Sequence, residues 1–308
     1  MSIGESVILT WKSNSGSLLL SLKPRIRRVE ILPGQPPEDL LRAIAPVGHS
    51  IRTVFFHADL TDQTKLPAER TYVVKSLTDR GAMGWNGYLS NLCKMSIQRW
   101  NVQLGLPDTR AALKGSPTER LIVKTRLNCF GISERHLTGD ERAALNLPIA
   151  VSTPIGDLPD YPIMMRHEVS KTLWNYLGLV VERFIESPRS EFIRVSFVGA
   201  HLVISVYKSQ ALVKHTQNSF SVLHFLSERD PERLSTSVPV QLRKVANNAI
   251  VFSKSVGLDF GAIDLITNEE TPYIVDVNPT PGIPMDAEMK NHFLGGLRGW
   301  RPIIPIGN

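Results

Sequence analysis

The amino-acid sequence predicts a mixed α/β or α+β protein in which helices cover mostly antiparallel sheets. Short apolar runs bounded by turn-forming residues recur along the chain, and they are interleaved with stretches whose apolar residues repeat at helical spacing. The length of 308 residues favours two or three lobes, because single hydrophobic cores stop growing near this size. We therefore expect an N-terminal α/β lobe over 1–86, a first α+β subdomain over 87–180, and a second over 181–308 that includes a C-terminal tail.

Alternating element types define the N-terminal lobe. Residues 7–11, 51–56 and 72–75 are rich in β-branched and aromatic side chains, which indicates strands. Residues 38–45 follow two prolines and predict a short helix. A strand, helix, strand order of this kind is typical of a small α/β lobe.

The elements after the first lobe are predicted from the same two periodicities. Gly257 ends the longest helical pattern, as a C-terminal glycine commonly does. Helices are predicted at 87–105, 167–176, 238–256 and from about Met285, and strands at 121–125, 179–185, 192–198, 202–207 and, as a hairpin, 260–277.

Composition excludes several classes of protein. Apolar residues make up 42% of the chain and charged residues 21%, which is ordinary for a globular protein. No apolar run approaches the roughly 18 residues of a membrane span, and the N-terminus lacks the pattern of a secretion signal. Cys93 and Cys129 are too few for a disulfide framework. We expect a cytoplasmic protein with no membrane partner.

The net charge of +6 and the pI of about 9.4 suit an anionic ligand. A phosphorylated or carboxylated molecule and a nucleic acid would both satisfy this balance. No RNA-recognition signature or zinc-finger spacing occurs, so we expect no nucleic-acid partner. A Walker A sequence is also absent, which excludes a P-loop as the way of holding a nucleotide.

The segment 257–282, GLDFGAIDLITNEETPYIVDVNPTPG, is the most informative stretch for chemistry. Two apolar strands flank a polar turn, and alternation along the second strand puts Asp276 and Asn278 on one face. A hairpin that closes symmetrically about Glu270 would place Asp264 directly across from Asp276, with Cβ atoms about 5 Å apart. Two carboxylates and one amide oxygen would then converge on one spot.

Such a convergence favours a divalent cation. Apposed carboxylates repel, and burying them unpaired is costly. Hard oxygen ligands with open positions for phosphates suit Mg²⁺. The alternative is the polar outer face of an ordinary hairpin, and it is less favoured because the acids lie amid apolar strands and precede a Pro-Gly turn.

This pattern, an Asp on one strand followed by an acid-x-Asn-x-x-Pro-Gly run on the next, resembles the metal-binding hairpin of ATP-grasp enzymes. That family includes D-alanine–D-alanine ligase, glutathione synthetase and the ribosomal-protein glutamate ligases. The resemblance implies the ATP-grasp fold, with two subdomains clasping ATP behind the N-terminal lobe. It implies that Asp264, Asp276 and Asn278 hold two Mg²⁺ ions, or Mn²⁺ in their place, on the ATP phosphates.

The resemblance also implies nucleotide-binding partners upstream, in order along the chain. Lys94 begins a helical stretch that leads to Gly-Leu-Pro, and Lys124 lies within an apolar strand; both would hold phosphates. Lys94 is off the apolar stripe, so by itself it would be a surface lysine. In the hinge segment VVERFI, Glu182 would accept from the adenine amino group and the backbone at Ile185 would bind the ring edge. Glu191 would hold the ribose, with a surface acid as the alternative.

Two cations resemble those that line the family's phosphate and acyl site. Arg194 and Lys208 are our candidates for contacting the acyl phosphate or the acceptor carboxylate. Two departures from the family pattern stand out. The loop after Lys124 has only Gly131, where many relatives carry several glycines, and Ala262 stands where D-alanine–D-alanine ligases have an arginine.

The implied activity is an ADP-forming carboxylate–amine ligase that passes through an acyl phosphate. Its substrates would be an amino acid, a peptide or a small carboxylic acid, together with an amine. A small-molecule kinase on the same fold and a non-catalytic ATP-binding module remain alternatives. Base rates make a homodimer compatible with the sequence, which itself carries no signal of oligomeric state.

Overall fold

The computed structural model describes residues 5–12, 18–22, 26–45, 51–147, 161–213, 220–230, 238–282, 286–298 and 300–305. Within these residues the chain forms a four-stranded, a three-stranded and a five-stranded sheet with helices packed against them. The predicted mixed α/β class is therefore confirmed. No described helix combines the length and the apolar character that crossing a membrane requires.

A parallel four-stranded sheet, in the order β2-β1-β3-β4, forms the N-terminal lobe. Its core contains the fully buried Val7, Leu9 and Val54. The strands are β1 (Glu5–Thr10), β2 (Arg27–Glu30), β3 (Ile51–His57) and β4 (Met83–Trp85), and the helices are α1 (Leu18–Leu22), α2 (Pro37–Ile44) and α3 (Arg70–Asp79).

The strand predicted at 72–75 is wrong, because these residues belong to helix α3. Val73, Val74 and Leu77 are buried in the core while Tyr72 and Lys75 are exposed, which is the pattern of one helical face. A window of four residues is too short to distinguish this pattern from a strand, and the β-branched valines favoured the wrong one.

An antiparallel three-stranded sheet, in the order β6-β5-β7, follows in the chain. Because β7 pairs with β5, the hinge segment and the strand of Lys124 are neighbours in one sheet. The strands are β5 (Arg120–Thr125), β6 (Ile163–Met165) and β7 (Leu179–Arg183), and the helices are α4 (Lys94–Gln103), α5 (Ile132–Arg135), α6 (Gly139–Ala144) and α7 (Lys171–Asn175).

Two predicted helices are shorter than expected. The helix predicted over 87–105 begins only at Lys94, because the Asn91 side chain accepts from the backbone N–H of Cys93 at 2.8 Å and closes a turn before the helix. The helix predicted over 167–176 is replaced by a 3₁₀ turn at Arg166–Glu168 and by α7, whose N-terminus is capped by the Ser170 hydroxyl.

A five-stranded antiparallel sheet in the order β10-β9-β8-β11-β12 lies in the residues predicted to form the second subdomain. Helix α8 packs with Val195, Ile204 and Ile263, whereas α9 packs with Val198 and Val203, so the two helices cover opposite faces of the sheet. The strands are β8 (Glu191–Val198), β9 (His201–Lys208), β10 (Phe220–Leu226), β11 (Phe260–Asn268) and β12 (Thr271–Asn278), and the helices are α8 (Val240–Val256) and α9 (Ala287–Gly296). Strand β10 was not predicted.

A buried histidine at the carboxyl end of β3 has a pKa well below its ordinary value. His57 is fully buried and stacks on Phe260 with ring centroids 6.0 Å apart. Burial lowers the pKa of His57 from 6.5 to about 4, its own backbone opposes this in part, and Arg28 adds to the lowering.

We therefore expect a His57 contribution to the pH dependence of stability. Because the folded pKa lies below the unfolded one, the unfolding free energy falls as pH drops from about 6.5 to about 4, by on the order of 3 kcal/mol. Urea unfolding across this range, compared between the parent and His57→Phe, measures the contribution. The exposed His136→Phe serves as the control, and equal pH slopes in the parent and both variants would rule the contribution out.

Candidate functional site

A cavity of about 490 Å³ lies between the three-stranded and five-stranded sheets. Its walls come from β5 and β7 on one side and from β8, β11 and β12 on the other, with the start of α4 at one end. Most of the predicted site residues line it: Lys94, Lys124, Glu182, Ile185, Arg194, Asp264 and Asp276. The fold thus brings together residues from distant parts of the chain.

Three of the four basic residues that line this cavity are each paired with an acid. Lys94 pairs with Asp276, and the Lys124 ammonium lies 2.6 Å from a Glu182 oxygen. Arg194 donates two hydrogen bonds to Asp264, from Nε to Oδ1 at 2.7 Å and from Nη2 to Oδ2 at 2.8 Å. Such a bidentate pair fixes both side chains in one orientation. The cavity therefore holds a closely balanced set of charges that a charged ligand could reorganise.

Hairpin register places the two aspartates together. Asp264 and Asp276 are directly opposite in the β11–β12 ladder, as predicted. The predicted symmetric closure about Glu270 is wrong, because Asn268 pairs with Thr271 across a two-residue turn. That turn alone would put Asp264 opposite Val275; a β-bulge between Asp264 and Leu265 on the ladder shifts the register by one and restores the pairing.

The bulge has a second effect at the cavity. Val275, which strict strand alternation would place on the face opposite Asp276, lines the cavity with both aspartates. Its carbonyl oxygen accepts from Lys124 Nζ at 3.4 Å, so the β5 lysine contacts the backbone of the β11–β12 hairpin as well as Glu182. The two sheets are joined at this point by a charged side chain.

Lys94 is the most deeply buried cation of the site. Its side chain is 2% exposed, so its interpretation as a surface lysine off the apolar stripe is wrong. Nζ donates to Asn128 Oδ1 at 3.0 Å and to Asp276. Burial lowers the pKa of Lys94, but Asp276 and Tyr161 more than offset it, and the net pKa lies above its ordinary value. The ammonium therefore stays charged at neutral pH.

Glu182 has one hydrogen-bonded oxygen at the hinge, Oε1, while its buried Oε2 contacts a cation without a hydrogen bond. It accepts from Gln98 Nε2 at 2.7 Å and pairs with Lys124, with only 3% of its side chain exposed. Its predicted role toward an adenine amino group stays a prediction. Apolar side chains line the cavity around the hinge, and they form a slot suited to a flat ring: Ile122, Phe184, Ile185, Phe192 and Ile266.

Three predicted residues do not line the cavity among the residues that the structure describes. Glu191 and Lys208 are register partners at the far end of the β8–β9 hairpin. Asn278 lies opposite Ala262 at the end of β12, and its Oδ1 accepts from the Thr280 backbone N–H at 2.9 Å. The roles proposed for Glu191 and Lys208 would require the ligand to extend beyond the described cavity.

Sequence reasoning missed Asn128 and Tyr161. Asn128 accepts from Lys94 through its Oδ1 and donates from Nδ2 to the Val277 carbonyl at 2.8 Å, so it connects the lysine to the β11–β12 hairpin. Tyr161 lines the cavity and stacks on Phe130 with centroids 4.3 Å apart. Asn128 could have been noticed as a polar residue in the loop after the strand of Lys124. Tyr161 follows the undescribed residues 148–160, and no sequence pattern pointed to it.

The loop after β5 has glycine-like backbone angles although it contains only one glycine. Cys129, Phe130 and Gly131 have φ values of 46°, 56° and 68°, which puts three successive residues in the left-handed region. Glycine reaches this region without strain, whereas side-chain-bearing residues do so at a cost of about 1 kcal/mol each. The loop therefore adopts a glycine-like path with non-glycine residues, and Cys129 and Phe130 line the cavity.

The donor set at the hairpin fits a hard divalent cation. Two carboxylates face each other across the ladder, and Asp276 keeps 35% of its side chain exposed. No group of three or more His, Cys, Asp or Glu side chains that could hold a metal occurs among the described residues. Both Asp264 oxygens accept from Arg194, and Asp276 Oδ1 accepts from Lys94. Hard carboxylate oxygens of this kind suit Mg²⁺, and Asp264 would become available to it once Arg194 releases the carboxylate.

Comparison with known proteins identifies the fold. No protein-family model matches the chain, and no curated protein matches its sequence. The L-amino acid ligase of Bacillus licheniformis superposes with a TM-score of 0.50 and 11% identity over 89% of this chain and 66% of its own. This chain thus spans about two thirds of that ligase's length.

Two further solved structures show weaker likeness. D-alanine–D-alanine ligase from Bacillus anthracis complexed with ATP has a TM-score of 0.45 and 14% identity, covering 94% of this chain and 90% of its own. Macrocyclase MdnC of Microcystis aeruginosa MRC, bound with precursor peptide MdnA, has a TM-score of 0.45 and 12% identity, covering 94% of this chain and 98% of its own.

The three sheets and the helices packed against them define a protein of the mixed α/β class. More particularly, the chain has the fold of the ATP-grasp superfamily. At these identities the comparison shows the fold alone.

Proposed function

We propose that this chain is an ATP-dependent carboxylate–amine ligase. The observation that supports it best is the meeting of Lys94, Lys124 and Arg194 with the facing Asp264 and Asp276 in one cavity. Phosphoryl transfer depends mainly on positioning and on neutralising charge, and this set of cations and carboxylates supplies both.

Each residue has a part in the proposed site. Lys94 and Lys124 would bind the phosphates, and Arg194 would orient the transferring phosphoryl group or the acyl phosphate. Asp264 and Asp276, with Asn278 at the strand end, would hold Mg²⁺, which supplies neutralisation of phosphate charge. The apolar slot at the hinge would bind adenine, with the backbone at Ile185 against the ring edge.

The proposed reaction has two balanced steps. A carboxylate oxygen of the substrate attacks the γ-phosphorus of ATP; one P–O bond forms, the bond to the β-phosphate oxygen breaks, and ADP leaves. An amine then attacks the acyl carbon; a C–N bond forms, the bond to the phosphate oxygen breaks, and inorganic phosphate and a proton are released. Lys94 and Arg194, both charged, would stabilise the developing negative charge in each step.

A kinase on this fold is the second candidate, since it would need the same phosphate and metal ligands. The products separate the two. A kinase leaves the phosphoryl group on its product, whereas a ligase releases it as phosphate. A non-catalytic ATP-binding module is the third candidate, and the glycine-poor loop motivates it.

The decisive experiment is phosphate release from Mg-ATP with pooled amino acids and carboxylic acids, comparing the parent with Asp276→Ala. The ligase is supported by release that needs both a carboxylate and an amine and that disappears in the variant. ATP consumption without free phosphate would establish the kinase. ATP binding without turnover in any pool would favour the binding module.

Asn128 provides a separate prediction on nucleotide binding. In Asn128→Ala, the Lys94 ammonium loses one of its two hydrogen-bond acceptors and keeps the other, Asp276. Its position in the cavity is therefore less well fixed. We expect Mg-ATP to bind about tenfold more weakly, which is the cost of about one charge-assisted hydrogen bond. Titration calorimetry measures this, with Asn268→Ala at the far hairpin end as control. Equal affinities for the parent and Asn128→Ala would contradict the assignment.

A further inference from the structure

A second and larger cavity, of about 990 Å³, lies behind the phosphate loop. It is bordered by the N-terminal lobe, the start of α4, the segment after β5 and the α7–β7 connection. Phe130 lines both this cavity and the first one. The proposed reaction places none of its groups here, so the cavity is unexplained by that chemistry.

Charge in the second cavity is arranged differently from charge in the first. Lys65 and Arg126 line it, and neither side chain has a hydrogen-bond or ion-pair partner among the described residues. The one carboxylate of the lining, Asp62, already accepts from the Thr64 hydroxyl at 2.7 Å and from Asn91. In the first cavity, by contrast, every cation discussed is neutralised by an acid. The second cavity therefore has cationic groups available for an anion.

The other residues that line the second cavity indicate which further groups a ligand would have. Leu127, Leu145, Leu147 and Leu177 supply apolar surface, and Leu177 is 82% exposed at the rim. Ligand pockets are lined mainly by apolar side chains, and these leucines would cover the apolar part of a ligand. The amide side chains of the neighbouring Asn146 and Asn175 can pair with peptide groups, which a hydrocarbon chain lacks.

Backbone contacts connect this cavity to the first. The Arg126 carbonyl accepts from the Lys94 backbone N–H at 3.0 Å, and the Arg126 N–H donates to the Gly178 carbonyl at 2.8 Å. Arg126 thus contributes its side chain to the second cavity and its carbonyl to the residue that places an ammonium in the first. A group held by Arg126 would lie directly behind the phosphate-binding end of the site.

We propose that the second cavity binds an apolar peptide segment that carries a carboxylate, with Arg126 and Lys65 as the anion-binding groups. Resting on the proposed ligase function, this segment is a part of a peptide substrate remote from the reacting carboxylate. Arg126 pairs with the carboxylate through its planar guanidinium, and the leucines cover the apolar side chains. Binding itself does not depend on turnover, so it can be tested apart from the reaction.

The test is titration calorimetry of the full chain, saturated with Mg-ADP, against three probes. They are N-acetyl-trileucine with a free carboxylate, the same peptide as its C-terminal amide, and inorganic phosphate. We expect the acid to bind at least about tenfold more tightly than the amide, because a charge-assisted pair is lost with the carboxylate. Phosphate at the same concentration is expected not to compete with the acid, because the proposed phosphate position lies in the first cavity.

Matched variants locate the binding. Lys65→Gln/Arg126→Gln should reduce binding of the acid to the level of the amide. Lys75→Gln/Arg80→Gln, which removes the same charge from exposed positions of the same lobe, should leave it unchanged. Mg-ADP affinity, measured in the same samples, tests the first cavity, so failure of the nucleotide site and failure of this proposal are told apart.

Three outcomes overturn the proposal. Equal binding of acid and amide would show an apolar groove without an anion site. Competition by phosphate would show a phosphate site in place of a carboxylate site. Unchanged binding of the acid to Lys65→Gln/Arg126→Gln would place the peptide elsewhere. The first two rest on the parent protein alone, so they hold even where the double variant does not fold.

Discussion

Asp276→Ala is expected to destabilise the fold as well as to abolish the proposed activity. The substitution leaves the Lys94 ammonium, 2% exposed, without its acidic partner. Breaking a buried ion pair on one side typically costs 3–5 kcal/mol; because Asp276 is about one third exposed, we expect about 2–4 kcal/mol. Guanidinium unfolding monitored by circular dichroism measures the change.

A double variant separates charge from packing at this pair. Lys94→Met/Asp276→Leu removes both charges and should recover most of the lost stability, since an apolar pair can replace a buried ion pair at little cost. It should not recover ATP-dependent phosphate release. A double variant as unstable as Asp276→Ala would mean that the pair is not the cause of the loss.

Asp259→Ala is expected to have the second large effect, on stability alone. Asp259 is fully buried at the start of β11 and accepts from the Asn86 N–H at 2.6 Å, Trp300 Nε1 at 3.0 Å and the Ile303 N–H at 2.8 Å. It thereby joins the first lobe and the residues after α9 to the five-stranded sheet. Removing the carboxylate leaves these buried donors unsatisfied, and we expect a loss of about 4 kcal/mol in unfolding free energy.

Asp259 is also expected to make the unfolding free energy depend on pH, and Asp259→Asn should remove this dependence. Burial raises the pKa of Asp259 from 3.8 to about 6, against the Trp300, Ile303 and Asn86 hydrogen bonds and the charge of Arg229. The folded state therefore holds the proton more tightly, and stability falls as pH rises from about 3.8 to about 6, by on the order of 3 kcal/mol.

Subtracting the pH profile of the variant from that of the parent isolates this contribution. Titration of His57, which runs in the opposite direction over nearly the same range, is common to both proteins and cancels. A difference curve that is flat between pH 4 and 6 would refute the assignment to Asp259.

Sequence reasoning predicted best where periodicity is long or where a motif is local. The seventeen-residue helix α8 and the hairpin before Asn278 were both found, because a long amphipathic period and a strand-turn-strand pattern each leave little ambiguity. The facing of Asp264 and Asp276 was found as well. The fold class followed from these elements, and the structure comparison agrees with the ATP-grasp resemblance.

What could not be predicted depends on tertiary contacts. The burial of Lys94 follows from a partner 182 residues away, which no local pattern contains. The late start of α4 depends on the Asn91 side chain, and α3 resembled a strand until its buried face was visible. The role of Asn128 depends on the path of the loop after β5, which brings its side chain into contact with Lys94 and the Val277 carbonyl.

The β-bulge near Val275 makes the two ends of the β11–β12 hairpin unequal in their tolerance to changes of length. Residues added to or deleted from the turn at Glu269 and Glu270 would change only the loop, as far as the ladder below it keeps its register. A regular ladder that kept Val275 as a paired residue would instead put Val275 opposite Asp264 and bring Asp276 level with Ile263, on the opposite face of the hairpin. Homologous chains can therefore vary in the length of the turn, whereas a homologue without the bulge should have one residue fewer between Ile274 and Asp276 if its two aspartates are to stay opposite each other.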